Sequence, residues 1–380
     1  MHISQAIKTV FAFMCLIGLS FGNHLIAADI DQLTAVINKI GVKGQGHAEA
    51  RSAMSELVEI DPTDVVDILH GFDSKNVLAL NWLRAAVDSV LESAHQNGKT
   101  IPLRELQAFL ADTQNNENAR RVAYEWIVQL DDSLRTNILL NSLNDPSLEI
   151  RREAVTEAVS ASLKIKDAQK EIALSQLKTI LSSARDIDQI EQITTHIESL
   201  GGTVDLPRHF GFLMTWNLVG PFDNSGTKGF DVAYPPEANV ALDKTLEGKA
   251  GSVQWFEHTT MDPYGMMDLN VIMPEKYKGA IVYAYTTFDS SEDRDVEIRM
   301  GCVNGNKIWV NGKLITSNHV YHANTSIDQY IAKARLHKGE NEILVKVAQN
   351  EQEESWAQRW QFQLRICDKY GTAVLASRRK

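Results

Sequence analysis

The feature that most limits how this chain can fold is a change of hydrophobic period at Leu206-Pro207. Before it, apolar residues recur three and four positions apart. Leu33, Val36, Ile37 and Ile40 do so, as do Leu78, Ala79, Trp82, Leu83, Ala86 and Val90, the stripe of an amphipathic helix. After it, β-branched and aromatic residues alternate with polar ones, the period of a half-buried strand. The two patterns predict an all-α half over residues 29–205 and an all-β half over residues 206–380. In a chain of 380 residues each half is long enough to own a core.

Residues 1–28 belong to neither half. Lys8 is followed by the apolar run Val10 to Phe21, and Ala27-Ala28 then precedes Asp29. That is the charged, apolar, small-residue order of a secretory signal. Cleavage is expected after Ala28 or Gly22, an uncleaved anchor being the alternative. The processed chain is expected to be extracytoplasmic, periplasmic or secreted, without membrane contact once the signal is gone. The formal charge of −11 is uneven: residues 29–205 hold 17 Lys/Arg against 28 Asp/Glu, and residues 206–380 hold 20 against 21. An acidic surface repels phosphate backbones, which argues against nucleic acid as a partner. Beyond the signal only Cys302 and Cys367 remain. Their strand faces differ, so no disulfide is expected.

The helical half repeats itself. Arg51-Ser-Ala53-Met54, Arg84-Ala-Ala86-Val87, Arg121-Val-Ala123-Tyr124 and Arg152-Glu-Ala154-Val155 follow one another at steps of 33, 37 and 31 residues. Such periods predict stacked helix pairs, an α-solenoid, with an irregular bundle as the alternative. In each copy the Ala lets helices approach, and the Arg is expected to reach an acid or carbonyl in the preceding loop. The stretch Asp145-Pro-Ser-Leu-Glu-Ile-Arg151-Arg152-Glu-Ala154-Val155 resembles a HEAT repeat, which implies an extended surface for protein contacts.

In the second half the expected strands are 212–219, 268–272, 280–288, 295–302, 307–310, 328–336, 342–348 and 360–366, with a short one near 373–375. Asn304-Gly305 and Asn311-Gly312 flank Lys-Ile-Trp-Val, and Asn-Gly is a strong hairpin signal. Many short strands without helices predict a β-sandwich of jelly-roll type. Four stretches carry a resemblance: Thr215-Trp216 to Gly220-Pro221-Phe222, Gly301 to Asn311-Gly312-Lys313, Asp328 to Val347, and Phe362 to Asp368. Together they resemble the galactose-binding-like jelly rolls appended to bacterial secreted glycoside hydrolases, sulfatases and repeat proteins. The resemblance implies a jelly roll. One departure is the turn Cys302-Val303-Asn304-Gly305, where the family usually carries Ser-Asp-Asp-Gly.

Catalytic patterns are missing from the sequence: there is no Gly-x-Ser-x-Gly, no His-Glu-x-x-His and no Gly-rich phosphate loop. His319 and His322 supply two candidate metal ligands without a third. Glu237, Asp262, Glu275 and Asp293 are unpaired acids in the sequence, whereas a glycosidase needs two carboxylates at set separation. No catalytic residue, metal, or cofactor is therefore assigned. Five of the seven tryptophans fall in this half. Trp216 and Trp309 lie mid-strand and read as core. Trp255, Tyr264 and Trp356 lie in polar, irregular stretches, where aromatic rings can stack on sugar faces, with His258 and Asp223 as hydrogen-bonding neighbours. The expectation is an exported, non-catalytic protein whose helical repeats hold a protein partner and whose jelly roll binds a glycan. Its rivals are a glycoside hydrolase or lyase with its site in an interdomain groove, and a structural accessory subunit of an envelope assembly.

Overall fold

The structure, a computed structural model, describes residues 27–73 and 75–377. Of the expected signal, residues 1–26 lie outside the described residues. The described residues form two compact units, divided between Ile138 and Leu139. The expected boundary at 205/206 thus falls inside the second unit.

The first unit is helical: α1 (Ala27–Ile37), α2 (His47–Leu57), α3 (Val65–His70), α4 (Val77–Gln96), α5 (Leu103–Ala111) and α6 (Glu117–Leu130), with α7 (Arg135–Leu140) spanning the division. Local chemistry starts these helices. The Asn76 side chain accepts from the Ala79 amide at the head of α4, and Asn116 caps α6 in the same way. The repeated alanines Ala53, Ala86 and Ala123 are all buried. Trp126 donates its indole N–H to Asp88 at 2.8 Å, fastening α6 to α4.

The arginine expectation needs correction by one position. Arg84 pairs with Asp88 and Glu125, Arg121 with Glu125, and Arg152 with Asp186 and Asp188, all on helices or at the head of a later one. The residue just before each of the last two reaches a backbone carbonyl of the preceding segment, at the end of α5 for Arg120 and in the loop before α8 for Arg151. Arg120 donates Nε to the Leu110 carbonyl at 2.9 Å, and Arg151 to that of Asp145 at 2.8 Å. The reason is angular, because neighbours on a helix point about 100° apart, and only the inner one faces the preceding segment.

The second unit begins with α8 (Leu148–Ile165), α9 (Lys170–Ser183) and α10 (Ile187–Ser199), followed by the turn α11 (Leu206–Phe210). Val155, Leu177, Ile180, Ile193 and Ile197 of these helices share one core with Phe210 and Phe212 at the entry to the sheets. That shared core is why the division lies before α8. Burying one Phe ring contributes about 1.5–3 kcal/mol, so the two rings fasten helices and sheets together.

The strands are β1 (Thr215–Asp223), β2 (Thr245–Gly248), β3 (Gly251–Gln254), β4 (Phe256–Thr259), β5 (Met267–Asp268), β6 (Ala280–Ser290), β7 (Arg294–Cys302), β8 (Gly305–Val310), β9 (Lys313–Asn318), β10 (Tyr330–Leu336), β11 (Gly339–Gln349) and β12 (Gln361–Cys367). They form a six-stranded sheet, β4-β1-β6-β11-β8-β9, a four-stranded sheet, β10-β7-β12-β5, and the hairpin β2-β3. Every pairing is antiparallel. Alternate residues of both larger sheets meet in one core: Trp216, Val282, Val345 and Ile308 from the first, Ile298, Met300, Phe362 and Leu364 from the second. The Asn311-Gly312 turn has both residues at positive φ, 50° and 73°, as a tight hairpin between β8 and β9 requires. One expected strand is wrong in part. Leu269–Ile272 is a helical turn, because Asp268 accepts from the Asn270 amide and caps it. Cys302 and Cys367 are buried free thiols.

The outer face of the six-stranded sheet is also apolar, with Val219, Ile281, Tyr283, Leu344 and Trp309, and the chain from Phe222 to Trp255 covers it. One ammonium fastens that cover. The buried Lys346 donates to the carbonyls of Phe230 and Val232 and to the Glu237 carboxylate, each at 2.8 Å. Tyr283 donates to the same carboxylate. Burial lowers the Lys346 pKa from its usual value, and the Glu237 carboxylate opposes that.

Arginines line the outer face of the four-stranded sheet. Arg365 and Arg299 both donate to Asp328, and Arg365 also donates to the carbonyls of Phe210 and Gly371, each at 3.1 Å. Burial alone would raise the Asp328 carboxyl pKa, but the two guanidiniums hold it below its usual value. Gly371 has φ +81°, and a Cβ there would lie 3.3 Å from an Arg299 nitrogen. Burial, reinforced by Arg185 and Arg365, pushes the half-buried His209 down to about 4, so it stays neutral at pH 7.

Candidate ligand-binding site

Strand register gathers several loops at one end of the sheets. Asp223 pairs with Ala280, Ala280 with Gln349, and Ala348 with Gly305. The chain after β1, the start of β6, the end of β11 and the β7–β8 turn therefore meet there. Asn224 holds the meeting point: its amide N–H donates to the Gly279 carbonyl at 2.7 Å, and its side chain donates to the Gln349 carbonyl at 2.9 Å and to the Tyr321 hydroxyl at 3.0 Å.

Rings run through this end in an unbroken series. The buried Phe230 stacks on His319 at 4.0 Å with the planes 6° apart. His319 lies edge-on to Tyr321 at 5.4 Å, Tyr321 lies 6.4 Å from His322, and His322 lies edge-on to Trp356 at 5.2 Å. The series ends at the surface, where Trp356 is 63 % exposed. Phe230 is held in place by the close packing of Gly229, where a Cβ would lie 1.9 Å from the Asp223 carbonyl oxygen.

Beside the rings lie buried polar atoms without protein partners. They include Asn224 Oδ1, both side-chain atoms of Asn304, Gln349 Oε1, Asn350 Oδ1 and His322 Nε2. Such atoms are costly unless a water or ligand meets them. Donors and acceptors are mixed among them, which suits hydroxyl groups and water, because both give and take hydrogen bonds. A bare cation would meet only the acceptors.

Three acids of this end are engaged. Asp223 accepts from Ser225 and from Lys249 at 3.1 Å, Asp231 from Lys307 at 3.3 Å, and Glu351 from the Gly226 amide at 2.9 Å. The Ser225 hydrogen bond, together with Lys249, lowers the Asp223 pKa against the opposing effect of burial. Among the described residues no group of three His, Cys, Asp or Glu side chains is placed to hold a metal. His319 and His322 instead spend their faces and edges on neighbouring rings.

The five residues singled out from the sequence do not converge. Trp356 and Asp223 sit at the loop end. Trp255 precedes β4 and is half-buried against the outer sheet face, edge-on to Tyr285 at 6.3 Å, with its indole N–H unpartnered. His258 lies within β4 opposite Trp216 of β1. Tyr264 turns to the helices, its ring 5.9 Å from that of Phe210 and its hydroxyl donating to Glu191 of α10 at 3.0 Å. Phe230, Tyr321 and His322 were not singled out as ligand contacts. The signal for Tyr321 and His322 was present in the run His319-Val-Tyr-His322, where three ring-bearing side chains lie within four residues between two strands.

Two clefts lie elsewhere. One of about 430 Å³ in the first unit is lined by His70, Phe72, Asp73, Phe109 and Asn116, and one of about 250 Å³ in the second by Pro221, Phe256, Met273 and Tyr277.

No family model and no curated protein matches the chain. Solved structures similar in part include an anti-sigma factor domain-containing protein, 11 % identical over 43 % of this chain and 46 % of that one, with a TM-score of 0.27. A beta-glucosidase from Kluyveromyces marxianus is 10 % identical over 74 % of this chain and 36 % of its own, with a TM-score of 0.28. An uncultured Clostridium sp. beta-glucuronidase is 17 % identical over 42 % and 29 %, with a TM-score of 0.26. The chain spans less than half the length of each.

Proposed function

We propose that this chain is an exported, non-catalytic binding protein in which a galactose-binding-like jelly roll reads a glycan and HEAT-like helical repeats hold a protein partner. Export rests on the order of residue types in 1–28. The repeat reading rests on buried Ala53, Ala86, Ala123 and Ala154 at near-constant spacing on α2, α4, α6 and α8. The observation that carries glycan binding is the ring series ending at exposed Trp356. A sugar has the matching chemistry, a C–H face for the indole. A glycan array probed with the intact chain tests the reading. Retention on one sugar class, lost in Trp356→Ala, supports it; a blank array refutes it.

A further inference from the structure

Trp356 lies on a loop with almost no core of its own. From Glu351 to Arg359 only Ala357 is buried. A helical turn, Ser355–Ala357, is closed by the Ala357 amide donating to the Glu354 carbonyl at 2.8 Å. A segment with so little apolar burial opens at low cost unless polar groups hold it. Its two ends are fixed. The Gly279 amide donates to the Asn350 carbonyl at 3.0 Å and the Gly226 amide to the Glu351 carboxylate at 2.9 Å. At the far end the Leu269 amide donates to the carbonyl of the fully buried Trp360 at 2.8 Å.

Between those ends one amide side chain ties the loop across itself. Gln358 donates Nε2 to the carbonyls of Glu354 at 3.0 Å and Gln352 at 3.3 Å. Its Oε1 accepts from the Lys278 ammonium, which also donates to the Gln352 carbonyl at 3.0 Å. The Gln358 carbonyl accepts from the Asn270 side chain at 2.7 Å. Gln352, Glu354 and Gln358 therefore meet at one polar knot. Lys278, just ahead of β6, and Asn270, on the helical turn Leu269–Ile272, anchor that knot to the sandwich. The polar groups of the Lys278 and Gln358 side chains bond to the loop and to each other, and none is spent on the core.

We infer that Lys278 and Gln358 are positioning residues of the Trp356 site: they lock the 351–359 loop, so that the indole is presented in one orientation before a ligand arrives. The inference rests on the glycan reading above. A side chain that must be ordered on binding costs affinity, and one ordered beforehand does not. The ring contact recorded for Trp356 is with His322, edge-on at 5.2 Å. His322 is itself held at φ +59°, a conformation that a non-glycine residue adopts only when its surroundings impose it. Without the knot, that single edge contact would have to orient the indole alone. The device is invisible in any one stretch of sequence, because Lys278 and Asn270 lie 80 and 88 positions from Gln358.

The test labels the full chain with 5-fluorotryptophan and follows its fluorine NMR spectrum without ligand. The resonance of Trp356, one of seven tryptophans, is the one lost in Trp356→Phe. In Lys278→Met and in Gln358→Ala it should move toward the unfolded-chain position and sharpen, while the other resonances stay. Thermal melts should be unchanged, because the loop opens locally. Lys278→Arg keeps a cationic donor and should restore the wild-type resonance. Calorimetry with the oligosaccharide retained on the glycan array should show affinity about ten-fold weaker in Lys278→Met and Gln358→Ala, through a less favourable entropy, and recovered in Lys278→Arg. A Trp356 resonance unmoved in both variants overturns the proposal. A resonance that moves while affinity stays intact also overturns it and leaves the glycan reading standing. A wild-type chain that binds no oligosaccharide overturns that reading, and the positioning role with it, whatever the resonance does.

Discussion

Replacing Glu237 by Gln should loosen the segment that covers the outer face of the six-stranded sheet. Lys346 is fully buried, while the Glu237 side chain keeps 14 % of its exposure. Removing one member of a buried ion pair costs about 3–5 kcal/mol, chiefly because the other charge is left uncompensated. Gln keeps an acceptor for the ammonium and for Tyr283, and Glu237 is not wholly dry, so the lower end applies, about 3 kcal/mol. Lys346→Met strips a donor from the Phe230 and Val232 carbonyls and should cost a similar amount. The double variant removes both charges and should cost about 3 kcal/mol, far less than the sum of the singles. Hydrogen exchange by mass spectrometry on peptides covering 225–240 reads this directly, since the cover opens locally. About 3 kcal/mol corresponds to exchange roughly 150-fold faster. Additive single effects, or unchanged exchange in 225–240 in Glu237→Gln, would refute the role given to Lys346.

Three further outcomes are expected. A fragment of residues 139–380 should give a cooperative melt, whereas 206–380 should be less stable by about 3–6 kcal/mol, or insoluble, because Phe210 and Phe212 lose their helical neighbours; equal melting of the two fragments would contradict the shared core. His209 has a folded pKa near 4 against an ordinary 6.5, so the unfolded chain binds the extra proton first. Its contribution is complete above pH 6.5 and is lost as pH falls toward 4, by about 3 kcal/mol; thermal melts across that range should flatten in His209→Gln. Mass spectrometry of the chain recovered from the extracytoplasmic fraction should find an N-terminus near Asn23 or Asp29, and intact Met1 on a cytosolic protein would contradict export.

What could be read in the sequence was local. Period and the Asn311-Gly312 pair suffice to place helices, strands and the β8–β9 hairpin, because those signals act over a few residues. The helical turn at Leu269–Ile272 escaped, since Leu-Asn-Val-Ile reads as strand until the Asp268 cap is seen. β2, β3 and β4 escaped because their short stretches alternate weakly and are half exposed. The domain division escaped for a different reason. The stripe of α8–α10 looks like that of any other helix, and only the fold reveals that Phe210 and Phe212 complete it. Of the candidate site, Trp356 and Asp223 were legible as residues in polar stretches. The ring series was not, because Phe230, Tyr321 and Trp356 are brought together by the register of β1, β6 and β11, which no single stretch encodes. Tyr264 misled because its polar surroundings hide a packed ring whose hydroxyl binds Glu191.

The central claim is that exposed Trp356 carries glycan binding. It is tested most directly by titrating the array-selected oligosaccharide into wild type, Trp356→Ala and Trp309→Ala by calorimetry, with a thermal melt of each. Stacking one ring contributes about 1–2 kcal/mol, so wild type should bind with Kd between about 10 μM and 1 mM. Trp356→Ala should abolish detectable heat and leave the melt unchanged. Trp309→Ala should be destabilised by about 3–5 kcal/mol through the cavity it leaves. Undiminished binding by Trp356→Ala, or unfolding of that variant to the extent seen for Trp309→Ala, would contradict the account.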